Sequence, residues 1–339
     1  MMKFKNACKF IWILVIECLY SKKAWIRIKV GVLNDFMEHT QELNPVKLMW
    51  QMTRPHTLTA TFAPVILGTV MALYDTKIDW LLFIAMMSAC LALQIATNLF
   101  NEYYDFKRGL DTAESTGIGG GIVRHGLKPK NVLTVAFILY IVAAIIGVYI
   151  CMNSSWWLVV IGLFGMAIGY FYTGGPLPIA YTPFGELFSG LLMGNGFVLI
   201  AFFIQTNTVT VESLLISIPI GILVGAINMS NNIRDIEEDI KGGRKTLAIL
   251  LGHRKGVIAL AIAFVVSYLW IVLLILTGHI SPWTLVVFLS IRKPILAIQG
   301  FLKGDTEPQY MRIAMKSTAL TNTLFGFLLS TGLLISYLF

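Results

Sequence analysis

The chain reads as an all-α integral membrane protein, a bundle of about nine transmembrane helices. Composition, the number of apolar runs and the placement of charge predict it. Hydrophobic residues make up 57% of the 339 residues and charged residues 13%, against roughly 45–50% and 25% in soluble domains. A soluble chain of this length would lack the charge to cover its surface. The net charge of +8 does not indicate nucleic acid as a partner. The basic residues lie in a few blocks between apolar runs, which is the bias of cytoplasmic loops. The four cysteines (Cys8, Cys18, Cys90, Cys151) have no metal-ligand spacing.

A span needs roughly 20 mostly apolar residues. Such runs fall near 57–74, 79–100, 131–151, 156–172, 184–205, 211–230, 256–276, 281–302 and 313–338. Several contain Gly or Pro, which membrane helices tolerate when neighbours satisfy the freed backbone groups. The basic blocks order them. Nine Lys or Arg precede the first span. Lys107, Arg108, Arg124, Lys128 and Lys130 follow the second. Arg234, Lys241, Arg244, Lys245, Arg254 and Lys255 follow the sixth. Arg292, Lys293, Lys303, Arg312 and Lys316 mark the eighth and its following loop. Nine spans put all these blocks on one side, with the N-terminus cytoplasmic and the C-terminus outside.

Two polar islands end apolar segments on that same side. The first runs Asn98-Leu-Phe-Asn101-Glu-Tyr-Tyr-Asp105-Phe-Lys-Arg-Gly109-Leu-Asp111. The second runs Asn228-Met-Ser-Asn231-Asn232-Ile-Arg-Asp235-Ile-Glu-Glu-Asp239. Both share N-x-x-x-D, precede a basic loop and are separated by four spans, the pattern of an internal duplication. Repeats of this kind place a site between the halves. Asn101 and Asp105 share a helix face as i and i+4. Gly109 lets the chain turn so that Asp111 comes back. Asn228, Asn231, Asn232, Asp235 and Asp239 form one helical stripe. Carboxylates near a bilayer are costly unless paired, solvated or metal-bound. Oxygen-only ligands suit Mg²⁺, which bridges phosphate oxygens. Lys241 and Lys245, in a Gly-rich loop, supply cations for a diphosphate. Gly117 to Arg124 forms a matching stretch, though it is no Walker loop.

Plainer readings stand beside these. A polar stripe at a membrane-helix end can be a solvated cap, although two matched clusters on one side weigh against that. Basic loops serve topology. Tyr103, Tyr104, Tyr170, Tyr172 and Tyr181 suit an interfacial belt as well as a substrate surface. His56 and His125 are lone histidines. A cation-coupled transporter could use buried carboxylates and a pseudo-repeat, but it needs polar residues at mid-membrane. Here the acids cluster at one interface.

The motifs resemble the UbiA-type intramembrane aromatic prenyltransferases, closest to the branch that prenylates 1,4-dihydroxy-2-naphthoate in menaquinone biosynthesis. The resemblance rests on Arg54-Pro-His-Thr-Leu-Thr, Asn101-x-x-x-Asp105-x-x-x-Gly109-x-Asp111 and Gly119-Gly-Gly-Ile-Val-Arg124. It rests also on Tyr172-Thr-Gly-Gly-Pro176-Leu-Pro178, Asn231-Asn-Ile-Arg-Asp235-x-x-x-Asp239 and Gly243-Arg-Lys-Thr-Leu-Ala-Ile-Leu-Leu-Gly252. It covers roughly residues 46–339. Glu102 stands where an Asp is frequent in the family.

The resemblance implies a nine-helix bundle around a central cavity open to the cytoplasmic side and to lipid. It implies Mg²⁺ held by Asp105, Asp111, Asp235 and Asp239, with Asn101 and Asn231 helping. A polyprenyl diphosphate would bind there, aided by Lys241 and Lys245. Asn98, Tyr172, Asn228 and Asn232 would line the substrate site, and Arg54 and Arg124 would orient the carboxylate of the aromatic partner. The prenyl tail would lie along the spans or in membrane lipid. Sibling enzymes act on 4-hydroxybenzoate, homogentisate or haem, and the acceptor distinguishes them. Residues 1–45 lack the resemblance. Lys3, Lys5 and Lys9 before Phe10–Tyr20 mimic a signal peptide without a small-residue cleavage site. These eleven residues, apolar except for Glu17, reach only about 17 Å as a helix. This segment reads as an extension ahead of an initiator at Met37, or as an interfacial anchor.

Overall fold

The computed structural model describes residues 48, 51–55, 57–111, 120–304 and 309–339. The N-terminal segment 1–45 and His56 lie outside the described residues. Among those described, seven helices are long and apolar enough to cross a membrane, and two more are apolar but shorter. In chain order they are α1 Thr59–Ala72, α2 Trp80–Lys107, α3 Pro129–Asn153, α4 Trp157–Phe171, α5 Gly185–Thr206, α6 Val211–Arg234, α7 His253–Leu276, α8 Pro282–Gly304 and α9 Gln309–Leu338. All nine fall where the apolar runs predict them. The second runs on to Lys107, so Asn101 and Asp105 sit within its last two turns.

Local chemistry sets the ends. Asp79 caps α2 by accepting from the Leu81 and Leu82 amides at 2.8 and 3.1 Å. Thr210 and Ser213 form a reciprocal capping box on α6. Pro129 opens α3 at a position where its missing N–H costs nothing. Asn207 ends α5 in the left-handed region.

Helix α6 is the hub. It packs on α1, α5, α7 and α9, and its apolar stretch is the most buried of the spans. Ile220, Leu223 and Ile233 fill a core shared with Leu67, Ile271 and Phe325. On the other side α2 packs along α3. There Phe100 sits edge-on to Phe137, Tyr140 and Tyr170. Large side chains such as Ile145, Val160 and Leu269 stay exposed on the outer faces, which suits lipid rather than water. Trp80, Trp156, Trp157 and Trp283 are exposed at the end opposite the acidic clusters, where interfacial rings belong.

Helices α1 and α4 hold 14 and 15 residues, about 21 and 22 Å of rise. Both stop short of the bilayer thickness. The chain beside them, 54–55, 57–58 and 172–184, runs largely outside the α-helices at the acidic end. Irregular backbone at membrane depth persists where it lines a cavity, and here it lines one.

Candidate active site

Both acidic clusters end their helices the same way. After the first, Gly109 takes φ +72°. Its amide donates to Phe106 O at 3.0 Å, and the Leu110 amide donates to Asp105 O at 2.9 Å. After the second, Gly243 takes φ +73°. Its amide donates to Ile240 O at 3.0 Å, and the Arg244 amide donates to Asp239 O at 2.9 Å. These paired bonds close a helix through a left-handed glycine. The two termini therefore match Asp105 with Asp239 and Leu110 with Arg244. They also touch: a Cβ on Gly242 would fall 1.9 Å from Leu110 Cδ2.

The second cluster is not one continuous helical stripe. Helix α6 stops at Arg234, Asp235 caps it, and a short helix Ile236–Lys241 carries Asp239. The break re-aims Asp239 toward the first cluster.

Arg244 joins the halves. Its Nη2 donates to Asp105 Oδ1 at 2.6 Å and its Nη1 to Asp239 Oδ1 at 2.9 Å. Asp105 and Arg244 lie 139 residues apart in sequence. Arg234 pairs with Asp235 at 2.5 Å through both Nε and Nη2. Lys241 and Lys245, the cations that the sequence offers in this loop, both have exposed side chains. The left-handed Gly243 turns residue 244 inward, a register that composition does not reveal.

The amide residues serve several ends. Asn98 donates to Thr53 O at 2.9 Å and to Thr57 Oγ1 at 3.1 Å, bracing the turn in which Arg54 sits at φ +50°. Thr57 closes that turn on Arg54 O. Thr173 Oγ1 donates to Asn101 Oδ1 at 2.8 Å, which leaves one lone pair of that oxygen for a cation. Asn228 donates to the Tyr172 hydroxyl at 2.7 Å. Asn232 donates to Glu186 at 2.8 Å. Arg54, Asn98, Asn101, Tyr172, Asn228 and Asn231 line a cavity of about 400 Å³ whose depth is apolar, walled by residues such as Leu93, Ala143 and Ile200. The cavity has a polar mouth and an oily interior.

Electrostatics at the mouth favour a cation. Burial pushes the Asp111 carboxyl up to about 6, reinforced by the Asp105 and Glu102 carboxylates and offset by Arg54 and Arg124. Burial pushes Asp239 up to about 6 as well, with Arg244 opposing. Arg54 and Arg124 thus both act on Asp111. Arg124 is exposed and folds over Gly120.

The donor set fits Mg²⁺. Its members are carboxylate and amide oxygens, and Asp239 Oδ2 is buried without a hydrogen-bond partner. The guanidinium held between Asp105 and Asp239 shows that this spot stabilises positive charge. Among the described residues no three carboxylate, histidine or cysteine side chains converge on one point.

Comparison with known proteins agrees with this geometry. The sequence profile of the UbiA prenyltransferase family matches residues 61–316. The chain is 68% identical over 291 residues to the 1,4-dihydroxy-2-naphthoate octaprenyltransferase of Bacillus subtilis (strain 168), covering 86% of this chain and 93% of that one. It is 28% identical to the Haemophilus influenzae protein of the same name, covering 86% and 96%. A UbiA homologue from Aeropyrum pernix K1 superposes with a TM-score of 0.58 at 14% identity, over 83% of this chain and 98% of that one. A homologue from Archaeoglobus fulgidus bound to GPP and Mg²⁺ gives 0.56 at 14% identity, over 84% and 99%. With a profile spanning most of the chain, and acidic clusters from two halves meeting at the mouth of an apolar cavity, the chain belongs to the UbiA prenyltransferase family.

Proposed function

We propose that the protein transfers a polyprenyl group from a polyprenyl diphosphate to 1,4-dihydroxy-2-naphthoate, with loss of CO₂, giving the demethylmenaquinol of menaquinone biosynthesis. The observation that carries this reading is the union of Asp105 and Asp239 through Arg244, in the same two clusters whose Asn101 and Asn231 line the cavity. A diphosphate needs concentrated positive charge, and an isoprenoid tail needs an oily channel; here the two adjoin. The choice of acceptor is supported by the 68% identity to the Bacillus enzyme.

Asp105, Asp111, Asp235 and Asp239, with the Asn101 and Asn231 amides, would hold Mg²⁺. When bound, the cation neutralises charge growing on the leaving diphosphate. Arg244 adds a second positive centre at the same place. The allylic carbon–oxygen bond breaks and its electron pair leaves on the diphosphate. The electron-rich naphthalenediol supplies a pair to the allylic carbon, and departing CO₂ returns its bonding pair to the ring. Arg54 and Arg124 present guanidinium forks to the acceptor carboxylate. The apolar cavity keeps water from the allylic cation.

We assign this activity to residues 46–339, in the cell membrane, with the acidic mouth facing the cytoplasm. The basic blocks beside the clusters support that orientation. Product analysis tests the reading. Purified protein with Mg²⁺ and a polyprenyl diphosphate is offered a panel of aromatic acids. A prenylated naphthoquinol with stoichiometric CO₂ is expected. Prenylation of 4-hydroxybenzoate and none of the naphthoate would move the protein to the sibling class.

A further inference from the structure

Tyr181 belongs to neither acidic cluster. It sits in the single helical turn Ile179–Tyr181 between α4 and α5, and its ring touches an arginine from each half. The Arg108 guanidinium carbon lies 5.2 Å from the ring centroid, and that of Arg244 lies at the same distance. Arg108 directly precedes the left-handed glycine that ends the first cluster. Arg244 directly follows the one that ends the second.

The loop carrying Tyr181 is fixed on both sides. Arg108 donates to the carbonyls of Thr173 and Gly175. It also lies 5.3 Å from the Tyr104 ring. The Lys245 amide donates to Tyr181 O at 3.0 Å, tying the residue next to Arg244 onto the tyrosine backbone. The Ala180 amide donates to Tyr172 O at 2.9 Å. Tyr181 therefore meets the first half through a side chain and the second through a side chain and the backbone.

Two guanidinium groups gathered at one site repel each other. The negative face of an aromatic ring offsets such charge without forming an ion pair. It leaves every N–H of Arg244 available for oxygen ligands. A carboxylate at this position would instead compete with Asp105 and Asp239 for the same donors.

We propose that Tyr181 is a positioning residue: its ring seats Arg108 and Arg244 and thereby holds the two acidic clusters at the spacing one diphosphate requires. The inference rests on the prenyl diphosphate reading of the site. It is a property of the ring, not of the hydroxyl.

The test compares Tyr181→Phe and Tyr181→Leu in the full chain, purified in detergent. Binding of a polyprenyl diphosphate with Mg²⁺ is measured by calorimetry, beside the melting temperature. Phe keeps the ring face, whereas Leu keeps much of the bulk without it. Tyr181→Leu is expected to weaken diphosphate binding about 5- to 10-fold at an unchanged melting temperature, the range of a partly desolvated cation–π contact. Tyr181→Phe is expected to bind within about twofold of the natural protein, since the ring face is kept. Adding Arg244→Gln to Tyr181→Leu should cost far less than Arg244→Gln alone, because the two act as a unit. Equal binding by Tyr181→Leu and the natural protein overturns the proposal, as does a loss in Tyr181→Phe matching that in Tyr181→Leu. A melting temperature that falls with the affinity also overturns it, by reducing Tyr181 to a packing role. Failure of the natural protein to bind the diphosphate at all would instead overturn the functional reading beneath it.

Discussion

Glu102 accepts the Gly120 amide on both carboxylate oxygens, each at 2.9 Å, and the Ile122 amide on Oε1 at 3.1 Å. Its side chain is buried, with 3% exposure. Glu102 lies between Asn101 and Asp105 on α2, yet both oxygens are spent on backbone. It braces the short helix Gly121–His125, which carries Arg124. Gly120 makes this possible at φ +92°, where a Cβ would fall 2.3 Å from Arg124 Nε.

Glu102→Gln puts an amide N–H where an oxygen met the Gly120 N–H. A buried charge-assisted hydrogen bond lost in this way costs about 1–3 kcal/mol. The melting temperature should drop by several degrees while the midpoint of a Mg²⁺ titration stays put. A shifted midpoint with unchanged melting would make Glu102 a metal ligand instead.

Arg54 and Arg124 both sit in electrostatic reach of Asp111, and neither forms the bridge between clusters. Arg54→Ala and Arg124→Ala should each raise the KM for the aromatic acid about tenfold, roughly 1.4 kcal/mol. The KM for the diphosphate should change by less than about threefold, well under 1 kcal/mol. Steady-state kinetics in both substrates decide it. A loss confined to the diphosphate assigns these arginines to the phosphate site.

Asp111 and Asp239 have carboxyls pushed up to about 6 by burial. Their unfolded values are near 4, so between pH 4 and 6 the folded chain binds more protons than the unfolded one. With chelator present, these two groups should make stability fall as pH rises through that window. A divalent cation must displace the same protons, so its stabilising effect should be large at pH 7.5 and weak at pH 5.5. Melting curves with and without Mg²⁺ at both values check this. A larger metal effect at the lower pH contradicts it.

The spans were legible because lipid demands a long unbroken apolar run, and nothing else in a chain imitates one. The positions of Lys and Arg put both clusters on one side, and their shared N-x-x-x-D pattern made their meeting legible. Gly109 announced its turn, since a left-handed C-terminal residue is usually glycine. The role of Arg244 was not legible. Lys241, Arg244 and Lys245 share one loop and one charge, and only the turn at Gly243 decides which points inward. Asp239 looked continuous with α6 because i+4 spacing persists through the cap at Asp235. In the sequence Tyr181 is one of several belt or stacking tyrosines, since its arginine partners come from segments distant in sequence.

Metal-dependent turnover in Asp105→Asn and Asp235→Asn tests the central claim most directly. One residue comes from each half, and each change removes a charged oxygen while nearly keeping shape. Prenyl transfer by the natural protein should vanish with chelator and return with Mg²⁺. Each variant should fold, insert and lose about a hundredfold or more in rate, about 2.7 kcal/mol of transition-state stabilisation. Full turnover in either folded variant, or turnover indifferent to chelator, would contradict a shared divalent-metal site built from both halves.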